Sequence, residues 1–238
     1  MRVLKTVNAV LGSVGRHVRR HSTKAITDPS QRSVACGLSA SEHNSLDNVD
    51  SIYADPNLID HYFTPERLAF YPKLAGWMKG LGINNPISVI DVGCGGGHLL
   101  AEASRHYPKA TLLGVDWSAA AVRVATKLHP QFEFRVADIF ELSALAEQFD
   151  LVLTTEVLEH LEEPVRAAEC LLQVCSPGGA VVVTVPDGRK DTFGGHVNFW
   201  TPESFEREFR GLAPQIETNE DSIFAVLYKP EVEDKRTT

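Results

Sequence analysis

Two histidines and several carboxylates stand where a proton-transfer step could use them. His160 lies in EVLEHLEEP, directly after Glu159 and four residues after Glu156, and His196 lies in GGHVNFW. Imidazole has a pKa near neutral and is the usual general base in proteins, so both histidines are candidate catalytic residues for deprotonating a hydroxyl or an amine. The sequence is equally compatible with His160 capping a helix or pairing with a neighbouring glutamate, and with His196 lying in an ordinary surface turn.

A glycine-rich turn follows a hydrophobic run in VIDVGCGGGHLL. Its spacing is Asp91-x-Gly93-x-Gly95-x-Gly97, and His98 stands where a dinucleotide-binding GxGxxG turn has its third glycine. Glycine permits positive φ angles and lets a ligand approach the main chain. The carboxylate of Asp91 disfavours a nearby phosphate and favours a cationic group. The turn therefore predicts a binding site for a positively charged ligand.

Acidic residues also follow the next two hydrophobic runs. Asp116 ends the run in LLGVDWS, and a carboxylate there can accept hydrogen bonds from two vicinal ribose hydroxyls. Asp138 in RVADIFEL, with Ile139 packing on the ring, could bind the adenine end of a nucleoside. The three patterns together indicate an adenosine with a positively charged, phosphate-free substituent. S-adenosylmethionine matches that description.

The elements that must position these residues alternate along the chain. Strands are predicted over 88–92, 111–115, 132–136, 151–154 and 180–185, and helices over 98–106, 119–128 and 164–175. Such alternation predicts an α/β fold with parallel strands and helices on both faces of the sheet. Ligands of these folds bind beyond the carboxyl ends of the strands, which is where the glycine turn and both aspartates lie.

Over residues 85–200 the chain resembles the class I S-adenosylmethionine-dependent methyltransferases. The motifs that carry the resemblance are VIDVGCGGG, GVDWS, VADIF, FDLVLTTEVLEHLEEP and LLQVCSPGGAVVVTVP, in the order of the family. The resemblance implies a three-layer, Rossmann-like sheet of strand order 3-2-1-4-5-7-6, with SIFAVLYK as the antiparallel seventh strand. EVLEHL and GGHVNFWTPESFE are most similar to the small-molecule subgroup, which includes ubiquinone-pathway O-methyltransferases and sugar or natural-product methyltransferases.

The resemblance also implies a cofactor, S-adenosylmethionine, and a role for each matching residue. Methyl transfer to an oxygen, or to a nitrogen, of a sugar, glycan precursor or quinone-type acceptor is the implied activity. A catalytically inactive scaffold domain and a dehydrogenase are the alternatives. The implied cofactor contacts are Asp91, Gly93, Gly95 and Gly97 around the methionine part and adenosine, Asp116 at the ribose, Trp117, Asp138 and Ile139 at the adenine, and Glu156 near the methionine amino group or the substrate mouth.

Composition divides the chain into a basic amphipathic segment (1–27), a polar linker (28–51), the methyltransferase-like domain (52–230) and a polar tail (231–238). The net charge is −8, although the first segment has six basic residues and no acidic one. The rest of the chain is therefore strongly acidic and repels polyanions, so a small molecule rather than a nucleic acid is the expected partner.

The cysteines and the basic segment bear on the compartment. The 4 cysteines form no CxxC or Cys/His pattern, which favours a reducing compartment and gives no sign of a zinc site. For the basic segment three interpretations stay open: a helix docked on its own domain, a peripheral membrane contact of a cytoplasmic protein, or a presequence for the mitochondrial matrix. The sequence gives no indication of the oligomeric state.

Overall fold

The computed structural model describes residues 38–83 and 85–231, with only the backbone of His61. The predicted basic segment (1–27) lies outside the described residues, as does the polar tail beyond residue 231. Within the described part of the chain, no helix combines the length and apolar character needed to cross a bilayer.

The described chain alternates between helices and strands. The α-helices are α1 (Ala40–His43), α2 (Leu46–Ala54), α3 (Pro56–Ile59), α4 (Pro65–Gly80), α5 (His98–His106), α6 (Ala119–Leu128), α7 (Pro164–Val174) and α8 (Pro202–Glu208). The strands are β1 (Ser88–Val92), β2 (Thr111–Asp116), β3 (Glu133–Val136), β4 (Phe149–Thr155), β5 (Cys175–Pro186), β6 (Gln215–Asn219) and β7 (Ser222–Tyr228). Short 3-10 helices cover Asp60–Tyr62, Ile139–Leu145, Leu158–His160 and Arg210–Leu212.

The strands form one seven-stranded sheet of order β3-β2-β1-β4-β5-β7-β6. Strands β1 to β5 run parallel, and β7 pairs antiparallel with both β5 and β6. The predicted strand order and the antiparallel seventh strand are therefore confirmed. Strand β5 begins at Cys175, earlier than the predicted 180, because Cys175 already pairs with Phe149 of β4.

The core occupies both faces of the sheet. One hydrophobic cluster joins the sheet to α7, α8 and the 3-10 helix Ile139–Leu145, and the other joins it to α4 and α5. The spacing of Leu99, Leu100 and Ala103 on α5 places these side chains on one face, where all three are buried. The sheet is thus covered by helices on both sides, as the alternation predicts, and its carboxyl edge is left for a ligand.

The structure differs from the predicted polar linker over residues 38–51. Ser39 and Glu42 form a reciprocal capping box at the start of α1, and Ser45 caps α2. Helix α2 packs against α6, and the carboxylate of Asp50 accepts hydrogen bonds from the Ser118 hydroxyl and from the Ala120 N–H at 3.1 Å. The serine- and aspartate-rich composition therefore reflects helix caps and tertiary hydrogen bonds, and the folded domain includes these residues.

Candidate active site

The acidic residues that follow strands β1 to β4 meet at one edge of the sheet. Parallel strands end at the same edge, so side chains placed after each of them converge. The residues that line the resulting pocket are His43, Asn44, Val49, Tyr53, Tyr62, Val92, Gly93, Asp116, Trp117, Ala137, Asp138, Ile139, Phe140, Glu156, Val157, His160 and Leu161. Most of the predicted site residues thus border a single pocket.

The glycine turn lies between β1 and α5. Gly93, Gly95 and Gly97 have φ angles of 75°, 49° and 77°, which side-chain-bearing residues rarely adopt. A Cβ atom on Gly95 would lie 2.6 Å from the hydroxyl oxygen of Tyr53. At this position a side chain is excluded by the backbone conformation and by the close approach of Tyr53. Gly93 is the glycine of the turn that lines the pocket, whereas Gly95 and Gly97 lie beside it.

Asp91 lies at the end of β1, beside this turn, and its carboxyl group is buried. Both carboxyl oxygens are without a hydrogen-bond partner among the described residues. Burial, and secondarily the charge of Asp116, raise the pKa of Asp91 to about 8. A buried acid without a partner is costly, and a cationic ligand group would offset that cost. The predicted preference of the turn for a cation is therefore supported by the geometry.

Asp116 both holds the turn and borders the pocket. One carboxylate oxygen accepts the N–H of Gly95 at 2.9 Å and the other accepts the N–H of Ser118 at 2.9 Å. Burial raises its pKa despite these hydrogen bonds. Each oxygen keeps a second lone pair, so the side chain can still accept from a diol. Trp117 lies beside it at the rim and is 40% exposed.

Asp138 and Ile139 form the far wall of the pocket. Asp138 Oδ1 accepts the N–H of Phe140 at 2.8 Å and so caps the 3-10 helix that begins at Ile139. Ile139 is buried with an apolar side chain facing the pocket lining. An apolar surface next to a carboxylate suits a flat heterocycle that carries an amino group.

Charge distinguishes this pocket from a phosphate site. Among the described residues that line it there is no lysine or arginine, whereas Asp116, Asp138 and Glu156 all border it. Three carboxylates would repel a pyrophosphate. The residues present fit an adenosine ligand with a positive charge, as predicted, and they do not fit a nicotinamide dinucleotide.

Replacing Asp91 with asparagine is expected to raise the free energy of unfolding of the ligand-free protein. The unfolded chain releases this proton at a pKa of about 3.9, whereas the folded pKa is about 8. Between these values the folded state holds the extra proton, so the wild-type protein loses stability as the pH rises. The difference in free energy of unfolding between the variant and the wild type should therefore grow with pH, to on the order of 2 kcal/mol. Urea unfolding of both proteins, at a pH near each of these two pKa values, measures the difference in free energy of unfolding. A difference that does not change with pH would contradict the prediction.

Glu156 begins the acceptor end of the pocket, after β4. Its φ angle is 56°, a strained value for a glutamate, and its carboxyl group lies 3.4 Å from the Thr184 hydroxyl. Burial raises the pKa of Glu156 to about 7. This strained turn directs the chain into the 3-10 helix Leu158–His160.

His160 lies at this end of the pocket, and its ring is held by Asn44. The Asn44 amide group donates to the carbonyls of Gly195 at 3.0 Å and His160 at 3.3 Å. Its oxygen, 2.9 Å from His160 Nδ1, must therefore accept a hydrogen bond from that nitrogen, which carries the proton of the neutral ring. The lone pair of the ring is consequently on Nε2. Burial lowers the pKa of His160 to about 3, so the ring is neutral and only a weak base.

His196 does not line the pocket but lies behind His160. The two ring centroids are 4.6 Å apart. Asp191 accepts a hydrogen bond from His196 Nδ1 at 2.6 Å, which leaves the lone pair of this ring on Nε2 as well. The nearest acid to both Nε2 atoms is Glu159, which sequence analysis considered only as a partner of His160.

The first helices contribute residues that sequence analysis missed. His43, Asn44 and Tyr53 line the pocket, and Tyr53 stacks on Tyr62 with ring centroids 5.5 Å apart. Tyr62, at the end of the 3-10 helix Asp60–Tyr62, also borders the pocket. The missed signal was the Ser39-x-x-Glu42 capping box, which marks a helix start inside the polar stretch.

Comparison with known proteins identifies similar sequences for the part of the chain that carries the pocket. A family model described as "Methyltransferase domain" matches residues 62–212. A trans-aconitate 2-methyltransferase from Deinococcus radiodurans is 34% identical over 125 residues, 52% of this chain and 47% of that protein. A ubiquinone biosynthesis O-methyltransferase from Paracidovorax citrulli is 35% identical over 120 residues, 46% of this chain and 48% of that protein. The chain thus spans about half the length of these relatives.

A solved structure shows the same fold at lower sequence identity. The N-methyltransferase NodS from Bradyrhizobium japonicum, in complex with S-adenosyl-L-homocysteine, is 21% identical with a TM-score of 0.59. The match covers 79% of this chain and 100% of NodS.

Proposed function

The chain belongs to the class I S-adenosylmethionine-dependent methyltransferases, and from that membership we propose that it transfers a methyl group to an oxygen of a small molecule. The observation that carries the proposal is the single pocket that joins the adenosine-binding carboxylates to His160. A cofactor at one end and an acceptor at the other would meet inside it. Transfer to a nitrogen is the less favoured form of the same activity.

S-adenosylmethionine would be held by the residues whose positions fit it. The unpartnered carboxyl of Asp91 and the main chain of Gly93, which lines the pocket, suit its charged part. The positive φ angles of Gly95 and Gly97 shape the turn beside it. Asp116 suits the ribose, and Asp138, Ile139 and the rim residue Trp117 suit the adenine. When bound, the cofactor supplies an activated methyl group on a sulfonium, so the protein contributes mainly by positioning the acceptor.

The acceptor end suits a hydroxyl group. The lone pair on His160 Nε2 can accept a hydrogen bond from the acceptor and so orient its oxygen, and the Glu156 carboxyl lines the same region. The relatives from Deinococcus and Paracidovorax are named for methyl transfer to trans-aconitate and for ubiquinone O-methylation, which supports an oxygen acceptor. A sugar, a glycan precursor or a quinone-type phenol fits this description.

The proposal is tested by supplying S-adenosylmethionine with a labelled methyl group to a panel of sugars, phenols, carboxylic acids and amines. Label in an oxygen-linked methyl group of one acceptor class is the expected result. Calorimetry with S-adenosylmethionine and with NAD separates the alternatives. Cofactor binding without turnover on any acceptor would favour an inactive scaffold, and binding of NAD alone would favour a dehydrogenase.

The basic segment motivates a second, separate proposal about location. Residues 1–27 have six basic residues, no acidic residue and apolar residues at helical spacing, which favours a peripheral contact of a cytoplasmic protein with an anionic membrane. A matrix presequence is the alternative. The partner of the pocket in either case is a small molecule rather than a nucleic acid.

Deleting residues 1–27 is expected to reduce binding to phosphatidylserine vesicles at least tenfold while S-adenosylmethionine affinity stays within twofold. The expected loss follows from removing six positive charges, each worth about 1 kcal/mol near such a surface. Vesicle co-sedimentation of the full and shortened chains measures it. Equal binding of both would exclude the membrane contact.

A further inference from the structure

A cluster of three ligand-type side chains lies at the acceptor end of the pocket. Glu159 Oε1 is 4.0 Å from His160 Nε2 and 3.9 Å from His196 Nε2. The three atoms all lie within 4.8 Å of one another. They come from two loops, one after β4 and the other after β5.

Both imidazole rings present a lone pair to this cluster. Asn44 fixes the proton of His160 on Nδ1, and Asp191 does the same for His196. Each Nε2 is therefore unprotonated in the neutral ring. Metal-binding histidines are held in this way, with the second ring nitrogen donating to a carbonyl, amide or carboxylate oxygen.

Glu159 contributes a buried carboxyl group. Its side chain is 1% exposed, and among the described residues neither carboxyl oxygen has a hydrogen-bond partner. A buried, unpartnered carboxyl group and two imidazole lone pairs therefore converge. A cation between the three groups would interact favourably with the carboxyl group and with both imidazole lone pairs at once, which a fourth neutral side chain could not do.

The two loops are tied to each other, so the cluster is held before any ligand binds. The carbonyl of Glu159 accepts the N–H groups of Val197 at 2.9 Å and Asn198 at 3.1 Å. The Asn198 amide in turn donates to the carbonyls of Leu158 at 3.2 Å and Leu161 at 2.7 Å. These bonds fix the backbone on both sides of the three ligand atoms.

We propose that Glu159, His160 and His196 bind one divalent transition-metal cation at the acceptor end of the pocket. Two imidazoles and one carboxylate suit Zn²⁺ or a related first-row ion better than Mg²⁺ or Ca²⁺, which prefer oxygen ligands throughout. Bonds of about 2.1 Å at tetrahedral angles put ligand atoms about 3.4 Å apart. The two distances from the Glu159 carboxyl group exceed this value by about half an ångström. The two ring nitrogens, which lie within 4.8 Å of each other, need to approach by at most about 1.4 Å, which side-chain rotation can supply. The proposal departs from the expectation from sequence that the chain has no metal site.

The inference deepens the proposed function and rests on it for the role of the ion. His160 lines the pocket, so a cation bound to its ring would lie beside the pocket. A bound cation would supply Lewis-acid chemistry: it would lower the pKa of an acceptor hydroxyl beside His160, whose proton would pass to water. The acceptor oxygen would then form its bond to the methyl carbon as the carbon–sulfur bond breaks and the sulfonium becomes a neutral thioether.

Metal binding is tested directly on the full chain after treatment with EDTA and dialysis. Titration with Zn²⁺, and in parallel with Mn²⁺, is expected to show about one equivalent bound in the calorimeter for at least one of them. Glu159→Gln and His196→Ala should each weaken that binding at least tenfold. His106→Ala is the matched control, because His106 also pairs with a glutamate, Glu102, at 3.5 Å, but on the surface of α5. No binding, or equal binding in all variants, would overturn the proposal.

Asp191→Asn gives a second measurement that does not remove a ligand. Loss of the carboxylate that orients His196 should weaken metal affinity about 10- to 100-fold, with an unchanged far-ultraviolet circular dichroism spectrum. Unchanged affinity in this variant would count against the site. The absorption spectrum of the Co²⁺-loaded wild-type protein should report nitrogen ligands, and a spectrum like that of aqueous Co²⁺ would contradict them.

The same samples separate this inference from the proposed function. S-adenosylmethionine affinity is expected to stay within twofold in the metal-site variants, because none of them replaces a residue assigned to the cofactor. Cofactor binding and methyl transfer that persist at full rate in EDTA would overturn the metal site and leave the methyltransferase activity standing. Stoichiometric metal binding without any cofactor binding would overturn the activity instead.

Discussion

Replacing His160 with alanine is expected to lower kcat about 100- to 1,000-fold while the affinity for S-adenosylmethionine changes less than twofold. A group that orients an acceptor and promotes its deprotonation typically contributes this much to the rate. His160 lies at the acceptor end, and its Nε2 lone pair is held in place by Asn44. Single-turnover rates with the best acceptor, together with cofactor calorimetry, measure the two quantities.

The His106→Ala variant controls for a general effect of losing a histidine and should keep wild-type rates. His160→Gln keeps a polar side chain of similar size, and it should lose nearly as much activity because an amide oxygen is a far weaker base and metal ligand than an imidazole nitrogen. Wild-type turnover in either His160 variant would exclude this residue from the reaction. Loss of activity alone does not separate a hydrogen-bonding role from a metal-binding role, which the metal titrations distinguish.

Replacing Asp116 with alanine is expected to weaken S-adenosylmethionine binding about 100-fold. Hydrogen bonds to a charged group contribute about 1.5 to 3 kcal/mol each, and about 1.4 kcal/mol corresponds to a factor of ten. The substitution also removes the acceptor for the Gly95 and Ser118 N–H groups, so the turn itself loses its anchor. Calorimetry with S-adenosylmethionine and with S-adenosylhomocysteine measures the change.

Asp116→Asn separates the two contributions, because asparagine keeps one oxygen acceptor and the size of the side chain. Its affinity should fall between those of the wild type and the alanine variant. Asp221→Ala is the control for loss of a carboxylate, since Asp221 is exposed and pairs with Lys190 at 3.0 Å. A wild-type affinity in Asp116→Ala would place the ribose elsewhere and contradict the assigned cofactor site.

Local sequence patterns were enough to predict the parallel part of the sheet. Strands β1 and β2 and helices α5 and α6 have the bounds predicted from hydrophobic periodicity to within a residue. The acidic residues at the ends of β1, β2 and β3 could be placed as well, because consecutive parallel strands present their carboxyl ends at one edge. The order of all seven strands depended on the family resemblance.

Composition was misleading where polar residues serve tertiary contacts. The stretch before residue 52 has the serine, asparagine and aspartate content of a linker, yet Ser39 and Ser45 cap helices and Asp50 bonds to the start of α6. A capping residue and a loop residue look alike in composition, because both use a short polar side chain near an unpaired backbone group.

The sequence by itself determined the alternation of elements, the glycine turn and the carboxylates at the strand ends, since each depends on residues that are close along the chain. Only the tertiary structure decided that Asn44 holds His160 across 116 positions and that Glu159 lies between two histidines from different loops. Those contacts arise because β4 and β5 are neighbours in the sheet and the first helices fold over the edge where both strands end. No local pattern records which loops will meet there.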